Sequence, residues 1–286
     1  MVLLTLRYLA TGSILQVVGD FINVDKATAS RVITKVIRSI ARLHPQFIKM
    51  PSTPQELNNV KQGFFNISRF PRCIGALDCS HIKIISPGGQ NPEIFRNRKL
   101  FFSFNIQAVC DSTLKVQDIV CRWPGSSHDS TIFKNSRLRA RMENREFGED
   151  SILLGDSGYA VKKYLITPLQ NPQTRAEHLF NESQIRTRNP IERCFGVIKR
   201  RFPVLAIGIR CKHSKSRSHC MVACSVLHNI ACMMNEPELE VTAEIEAAIE
   251  FANGINLDLG PQWGNGVTGN NIVRFNLINE YFLRLL

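Results

Sequence analysis

Two apolar runs that each end in an aspartate constrain this chain's fold more than any other feature. Ile74-Gly75-Ala76-Leu77 leads into Asp78-Cys79-Ser80-His81, and Ile152-Leu153-Leu154-Gly155 leads into Asp156-Ser157-Gly158. Short apolar runs bounded by turn residues read as buried strands. A carboxylate at the end of such a strand cannot stay unpaired away from water, so it needs a cation, a set of donors or the solvent at the sheet's end. Two neighbouring strands built this way put like charges side by side. A divalent cation resolves that repulsion and supplies a reaction centre.

The elements around these runs predict an α/β domain over 72–235, a mixed sheet flanked by helices. Strand-like runs at 73–85, 101–110 and 115–123, the last two separated by Asp111-Ser112, form an antiparallel meander. After Trp123-Pro124-Gly125 the pattern turns helical over 129–142, returns to a short strand at 151–156, and ends in a basic amphipathic helix at 187–202 and an apolar helix at 215–234. Residues 51–71, with Pro51, Pro54 and Pro71 around a helical piece near 55–62, read as a linker. The segment 236–286 is acidic and then Gly/Asn-rich. It is expected at the periphery, with a short final helix at 272–286.

Residues 1–50 carry a helical period broken at Asn23-Val24-Asp25, a helix-turn-helix-like punctuation of an all-α segment. Ala29, Val32, Ile33, Val36, Ile37 and Ile40 share one face, while Thr28, Arg31, Lys35, Arg38 and Arg42 line another. With Asp25 as N-cap, this helix could lie along DNA, basic side chains to phosphates. A solvated helix face in a bundle gives the same stripe, so both readings stand.

Charge points the same way. The chain carries 36 Lys+Arg against 24 Asp+Glu, a formal net charge of +12. Residues 1–235 hold 34 against 16 and residues 236–286 hold 2 against 8, so the basic excess lies wholly in the main body. An anionic partner is expected, nucleic acid before an acidic membrane surface. The opening MVLLTLRYLA reads as a core helix rather than a signal peptide, and no apolar stretch is long enough to span a bilayer. The nine cysteines are odd in number, scattered and set mostly in apolar stretches, which fits reduced thiols of an intracellular protein.

Glu192 is the third carboxylate of interest. It is the only acidic residue between Ser183 and Asn235, and ten Lys or Arg lie from Arg186 to Arg217. Pro190 suits a first helical turn, where a glutamate is also favoured by the helix dipole or by a salt bridge four residues away. Arg193, Lys199, Arg200 and Arg201 on the same helix, with Lys212, Lys215 and Arg217 beyond it, are placed to hold a DNA backbone. Arg96, Arg98 and Lys99 form a basic turn that reads as a solvated loop or a phosphate contact, the solvated loop first. Histidines 81 and 128, beside Asp78 and Asp129, are as readily structural as proton-shuttling. Cys220, Cys224 and His228 share one helix face, which wraps a tetrahedral zinc poorly, so core packing is expected of them.

Four motifs in order, Gly75-Ala76-Leu77-Asp78-Cys79-Ser80-His81, Trp123-Pro124-Gly125-Ser126-Ser127-His128-Asp129-Ser130, Leu154-Gly155-Asp156-Ser157-Gly158-Tyr159 and Glu192-Arg193-Cys194-Phe195-Gly196, resemble those of PIF/Harbinger transposases and the host-domesticated nuclease derived from them. Cys224-Ser225-Val226-Leu227-His228-Asn229 extends the likeness, which covers roughly residues 10–235, and 35 residues separate Asp156 from Glu192. The resemblance implies an RNase H-like fold in which Asp78, Asp156 and Glu192 are the catalytic, metal-binding carboxylates. Asp129 is then a further acidic position, either an auxiliary metal ligand or a helix cap. Two Mg²⁺ or Mn²⁺ ions would serve hydrolysis of DNA. The alternatives are strand transfer by an active transposase, or a DNA-binding scaffold that keeps the fold without cleaving. The resemblance further implies a nuclear protein, with the cytoplasm as second compartment, a Myb/SANT-like partner and room for a homo-oligomer. Family members carry a further helical segment ahead of the point where Met1 stands here, so autonomous recognition of terminal repeats is not expected.

Overall fold

The computed structural model describes residues 1–210, 214–237 and 271–286. Its centre is a five-stranded mixed sheet of β1 (Cys73–Lys83), β2 (Ser103–Cys110), β3 (Val116–Pro124), β4 (Ile152–Leu154) and β5 (Leu165–Ile166), ordered β3-β2-β1-β4-β5. The first three strands are antiparallel neighbours, and β4 and β5 run parallel to β1. The meander and the short fourth strand therefore lie where the apolar runs put them. The two-residue β5 has no counterpart among the sequence expectations, because a strand of two residues has no period to read.

β2 is buried along its whole length. Its alternation separates Phe104, Ile106 and Ala108, which join the larger apolar core, from Ser103, Asn105 and Gln107, which are buried polar residues. Buried polar side chains require partners, and those of Ser103 and Asn105 lie in the candidate site.

Helices cover the sheet. The segment expected as a linker contains α1, Pro54–Ser68, which is longer than the piece expected near 55–62 because Thr53 and Glu56 close a capping box at its start. Its Phe64 is fully buried, so 51–71 is a packed element. The single helix expected over 129–142 is two, α2 (Asp129–Lys134) and α3 (Arg137–Glu143), since Ser136 caps the second through the Arg139 amide.

A larger correction concerns the helix carrying Glu192, α4 (Arg175–Arg201). It begins twelve residues before the expected 187, at a second capping box between Thr174 and Glu177. Pro190 thus sits in its interior, where its missing N–H costs a helical hydrogen bond, and the buried Pro190 and Ile191 pack inward instead. Beyond it come α5 (Pro203–Ile207) and α6 (Ser214–Met233).

The N-terminal segment holds four helices, Val2–Thr11, Leu15–Asp20, Lys26–Ala41 and the single turn His44–Phe47. An extra break follows Gly12, whose φ of 61° suits glycine. Asp25 caps the third helix through the amides of Ala27 and Thr28, as its sequence predicts. Ala29, Ile33 and Ile37 share one buried cluster with Cys220, Ala223 and Cys224 of α6, so this segment is packed onto the sheet domain. At the other end Phe282, in the short turn Phe282–Leu285, is wedged against Phe70 and Phe180. The acidic stretch within 238–270, and Lys212, lie outside the described residues, as does the side chain of Lys215. No helix among the described residues is long and apolar enough to cross a membrane.

Candidate active site

The parallel pairing of β1 with β4 decides where the two aspartates stand, and Asp78 is carried within β1 rather than at its end. Ala76 pairs with Leu154, so two residues further along each chain Asp78, in the middle of β1 and opposite Ala108 of β2, comes level with Asp156, just past the end of β4. Gly155 allows the chain to leave β4 there, because a Cβ on it would come within 3.0 Å of the Tyr159 ring. Asp156 then accepts from the Gly158 amide at 3.1 Å, and Asp78 from the Cys79 amide at 2.7 Å.

Both carboxyls are lifted from their ordinary range. Burial pushes Asp78 up to about 7, with Arg188 opposing the rise and Asp156 and Asp129 adding to it. Asp156 is raised for the same leading reason, opposed by Arg188 and reinforced by Asp129 and Glu192. Asp78 therefore feels the charges of Asp156 and Asp129, and Asp156 those of Asp129 and Glu192.

Strand alternation distributes them over two sides of β1. On the side covered by α4, Arg188 reaches Asp78 Oδ2 from Nη1 at 3.2 Å, and Lys199 Nζ donates to Ser80 Oγ at 2.8 Å. On the other side, His81 Nδ1 lies 3.1 Å from Ser103 Oγ, and Cys79 Sγ lies 3.2 Å from the Tyr159 hydroxyl. Asp129 belongs to this second side. It is the first residue of α2 rather than its cap, which is His128, and its carboxylate accepts from Asn105 Nδ2 at 2.7 Å. The same amide donates to the Ser127 carbonyl at 2.9 Å, so Asn105 ties the whole turn after β3 to the sheet. Gly125 is required in that turn, because a Cβ there would meet Ser103 Oγ at 2.3 Å and the Phe95 carbonyl at 2.6 Å.

Glu192 stands in the middle of α4, which removes the helix dipole as a reason for it. The salt bridge remains: Arg188 Nη2 holds Glu192 Oε1 at 2.5 Å, four residues away. A single guanidinium consequently bridges Asp78 and Glu192. Arg188 is 12% exposed while Glu192 is 56% exposed, so the arginine fills the gap between helix and sheet.

A divalent metal can be tested against this donor set. Among the described residues no group of three or more His, Cys, Asp or Glu is drawn together closely enough to hold an ion. The chemistry nevertheless fits: Asp78, Asp156 and Glu192 offer hard oxygen ligands, two of the three are desolvated and mutually repelling, and a guanidinium now stands where positive charge is needed.

The basic residues divide sharply. Arg31, Lys35 and Arg38 are exposed along their helix, and Arg193 is exposed beside Glu192. Lys199 is turned inward to Ser80, and burial pushes it down to about 8. Arg200 is half-buried. Arg201 turns toward α6, with Nη1 3.2 Å from His228 Nδ1. Arg217 is wholly buried, which takes it away from any DNA surface. His228 also meets the Leu114 carbonyl through Nε2 at 2.8 Å, which commits both ring nitrogens, and Cys220 and Cys224 are buried beside it in α6. The eight cysteines among the described residues are free.

Two features of the site have no plain mark in the sequence. Arg188 is one basic residue among ten, and only its position against Asp78 and Glu192 singles it out. The Arg98–Lys99 turn, which reads as a solvated loop before a phosphate contact, reaches the site: Arg98 Nη2 lies 2.8 Å from His128 Nδ1, and burial first, then Lys199, Lys99 and Arg98, hold the His81 ring toward its neutral form against Asp129. The polar alternation Ser103-Asn105-Gln107 in an otherwise apolar strand was the available signal that this side of the sheet serves a site.

A family model described as DDE superfamily endonuclease matches residues 77–229, more than half of the chain and a span holding all four carboxylates. The chain belongs to the DDE superfamily of endonucleases. This DDE protein is 32% identical over 232 residues to the human protein "Putative nuclease HARBI1", covering 80% of this chain and 66% of the relative. Its frog counterpart from Xenopus laevis is 26% identical over 246 residues, covering 85% and 69%. "Protein ALP1-like" of Arabidopsis thaliana is 27% identical over 259 residues, covering 84% and 62%. The DDE chain thus spans just under two thirds of the human relative's length. No solved structure matches it.

Proposed function

We propose that this chain is a divalent-metal-dependent DNA endonuclease with an RNase H-like catalytic domain, in which Asp78, Asp156 and Glu192 bind Mg²⁺ or Mn²⁺. The observation that carries this reading is the levelling of Asp78 and Asp156 on parallel strands, under a helix that presents Glu192. The strand order β3-β2-β1-β4-β5 suits the same reading. When bound, the metal supplies Lewis acidity for attack on the phosphodiester and charge for the departing 3′-oxygen.

The chain's own residues do the rest. Asp78 and Asp156 hold the metal face of the sheet, and Glu192 closes it from α4. Asp129, fixed by Asn105 on the neighbouring side of β1, acts as the outer carboxylate that orders the turn bearing His128. Lys199, Arg98 and Lys99 converge on the site and are assigned to the phosphates nearest the cut, while Arg193, Arg200 and the exposed Arg31, Lys35 and Arg38 hold more distant backbone. The helix pair Leu15–Asp20 and Lys26–Ala41 serves as a helix-turn-helix-like DNA contact.

One observation favours the rival reading of a DNA-binding protein without cleavage: the guanidinium standing between Asp78 and Glu192. Plasmid cleavage in Mg²⁺ and Mn²⁺ separates the two. The wild type is expected to nick and linearise DNA, and Asp78→Ala, Asp156→Ala and Glu192→Ala to abolish cleavage while retaining binding. Binding without cleavage by the wild type selects the rival, and full activity in all three variants ends the metal-carboxylate reading.

A further inference from the structure

We infer that Arg188 is the site's internal cation, a guanidinium that occupies Asp78 and Glu192 in the metal-free protein and competes with divalent metal for them. The inference rests on the assignment of those carboxylates as ligands and concerns how the site is held before metal arrives.

Three observations carry it. Arg188 bonds both carboxylates at once, Asp78 through Nη1 at 3.2 Å and Glu192 through Nη2 at 2.5 Å. Its charge is also felt at Asp156, so it interacts with all three members of the set. The arginine is nearly covered while Glu192, its helix neighbour, is more than half exposed. A residue serving only to orient Glu192 would have no reason to fill the space in front of Asp78.

The physical consequence is a competition. A carboxylate oxygen that accepts a guanidinium N–H has a lone pair committed and its charge partly neutralised. A divalent ion has to displace Arg188 from Asp78, from Glu192 or from both. The apparent affinity for metal is then the intrinsic affinity reduced by the fraction of molecules in which the arginine has swung away. Without the arginine, the covered Asp78 would stand level with Asp156 with no cation beside it, which its burial disfavours. Arg188 therefore both stabilises the metal-free fold and sets the metal concentration at which the site loads.

The test is Mn²⁺ binding to the full chain, read from the paramagnetic resonance of free Mn²⁺ at a pH of about 8, for wild type, Arg188→Met, Arg188→Lys and Asp78→Asn. Arg188→Met is expected to bind Mn²⁺ about tenfold more tightly than wild type, with Arg188→Lys between them and Asp78→Asn losing the site. Equal or weaker binding by Arg188→Met, with Asp78→Asn still losing the site, overturns the competition alone. No binding by any of the four proteins overturns the metal reading on which it rests. Should Arg188→Met fail to fold, the wild type answers by itself: the Arg188 Nε resonance, in protein labelled with ¹⁵N-arginine, should shift in step with added Mg²⁺. A signal unmoved at saturating metal refutes the proposal.

Discussion

Replacing Asp78 by asparagine should stabilise the metal-free protein, by an amount that depends on pH in a defined way. In the folded chain burial lifts this carboxyl from its ordinary 3.8 to about 7, against the attraction of Arg188. At ~1.4 kcal/mol for each tenfold change in proton affinity, the ionised form is disfavoured by ~4 kcal/mol. The side chain is 19% exposed, so solvent screening removes only part of this. Because the folded state holds the proton more tightly than the unfolded chain, the wild type keeps its full stability below a pH of about 4. It loses stability as pH rises through about 7 and levels off above it. Asparagine has no such dependence and can still accept the Arg188 hydrogen bond. Urea denaturation in EDTA across that range should therefore show the two proteins converging in acid. The variant should pull ahead by ~1.4 kcal/mol per pH unit toward a plateau near ~4 kcal/mol. Saturating Mn²⁺ should reverse the order, since only the wild type retains the ligand. A stability difference that does not vary with pH, or a wild type that is the more stable at about pH 8 in EDTA, would refute the account of Asp78 as a desolvated carboxylate waiting for a cation.

Three other outcomes are expected. Thr174→Ala removes the capping box at the start of the helix carrying Glu192 and should cost ~1 kcal/mol in urea denaturation; an unchanged midpoint would mean that the helix start is held by packing alone. Asn105→Leu strips Asp129 and the Ser127 carbonyl of their shared donor, so cleavage should fall at least about tenfold with metal affinity nearly unchanged; loss of Mn²⁺ binding instead would make Asp129 a direct ligand. Replacing Arg31, Lys35 and Arg38 together by alanine should weaken DNA binding and flatten its dependence on log salt by up to about 0.9 for each phosphate that is no longer neutralised. An unaltered salt slope would leave that face merely solvated.

The amino-acid sequence by itself determined four of the five strands and singled out the carboxylates proposed for the site. Apolar runs that end in a carboxylate are legible because burying such a group is costly wherever the chain goes, and the meander and the Asp25 cap follow equally local rules. Helix limits were less legible. Pro190 reads as the start of a helix that in fact begins at Arg175, because the capping box at Thr174 lies in a stretch with little apolar period. The tertiary structure alone decided which charges meet. The parallel register that levels Asp78 with Asp156 joins residues 78 positions apart, and the span from Arg188 to Asp78 crosses 110. Neither has a periodic signature, since the meeting of two elements depends on how they pack. For the same reason Lys199 turned inward and Arg217 disappeared into the core, although along the chain both belong to one basic run.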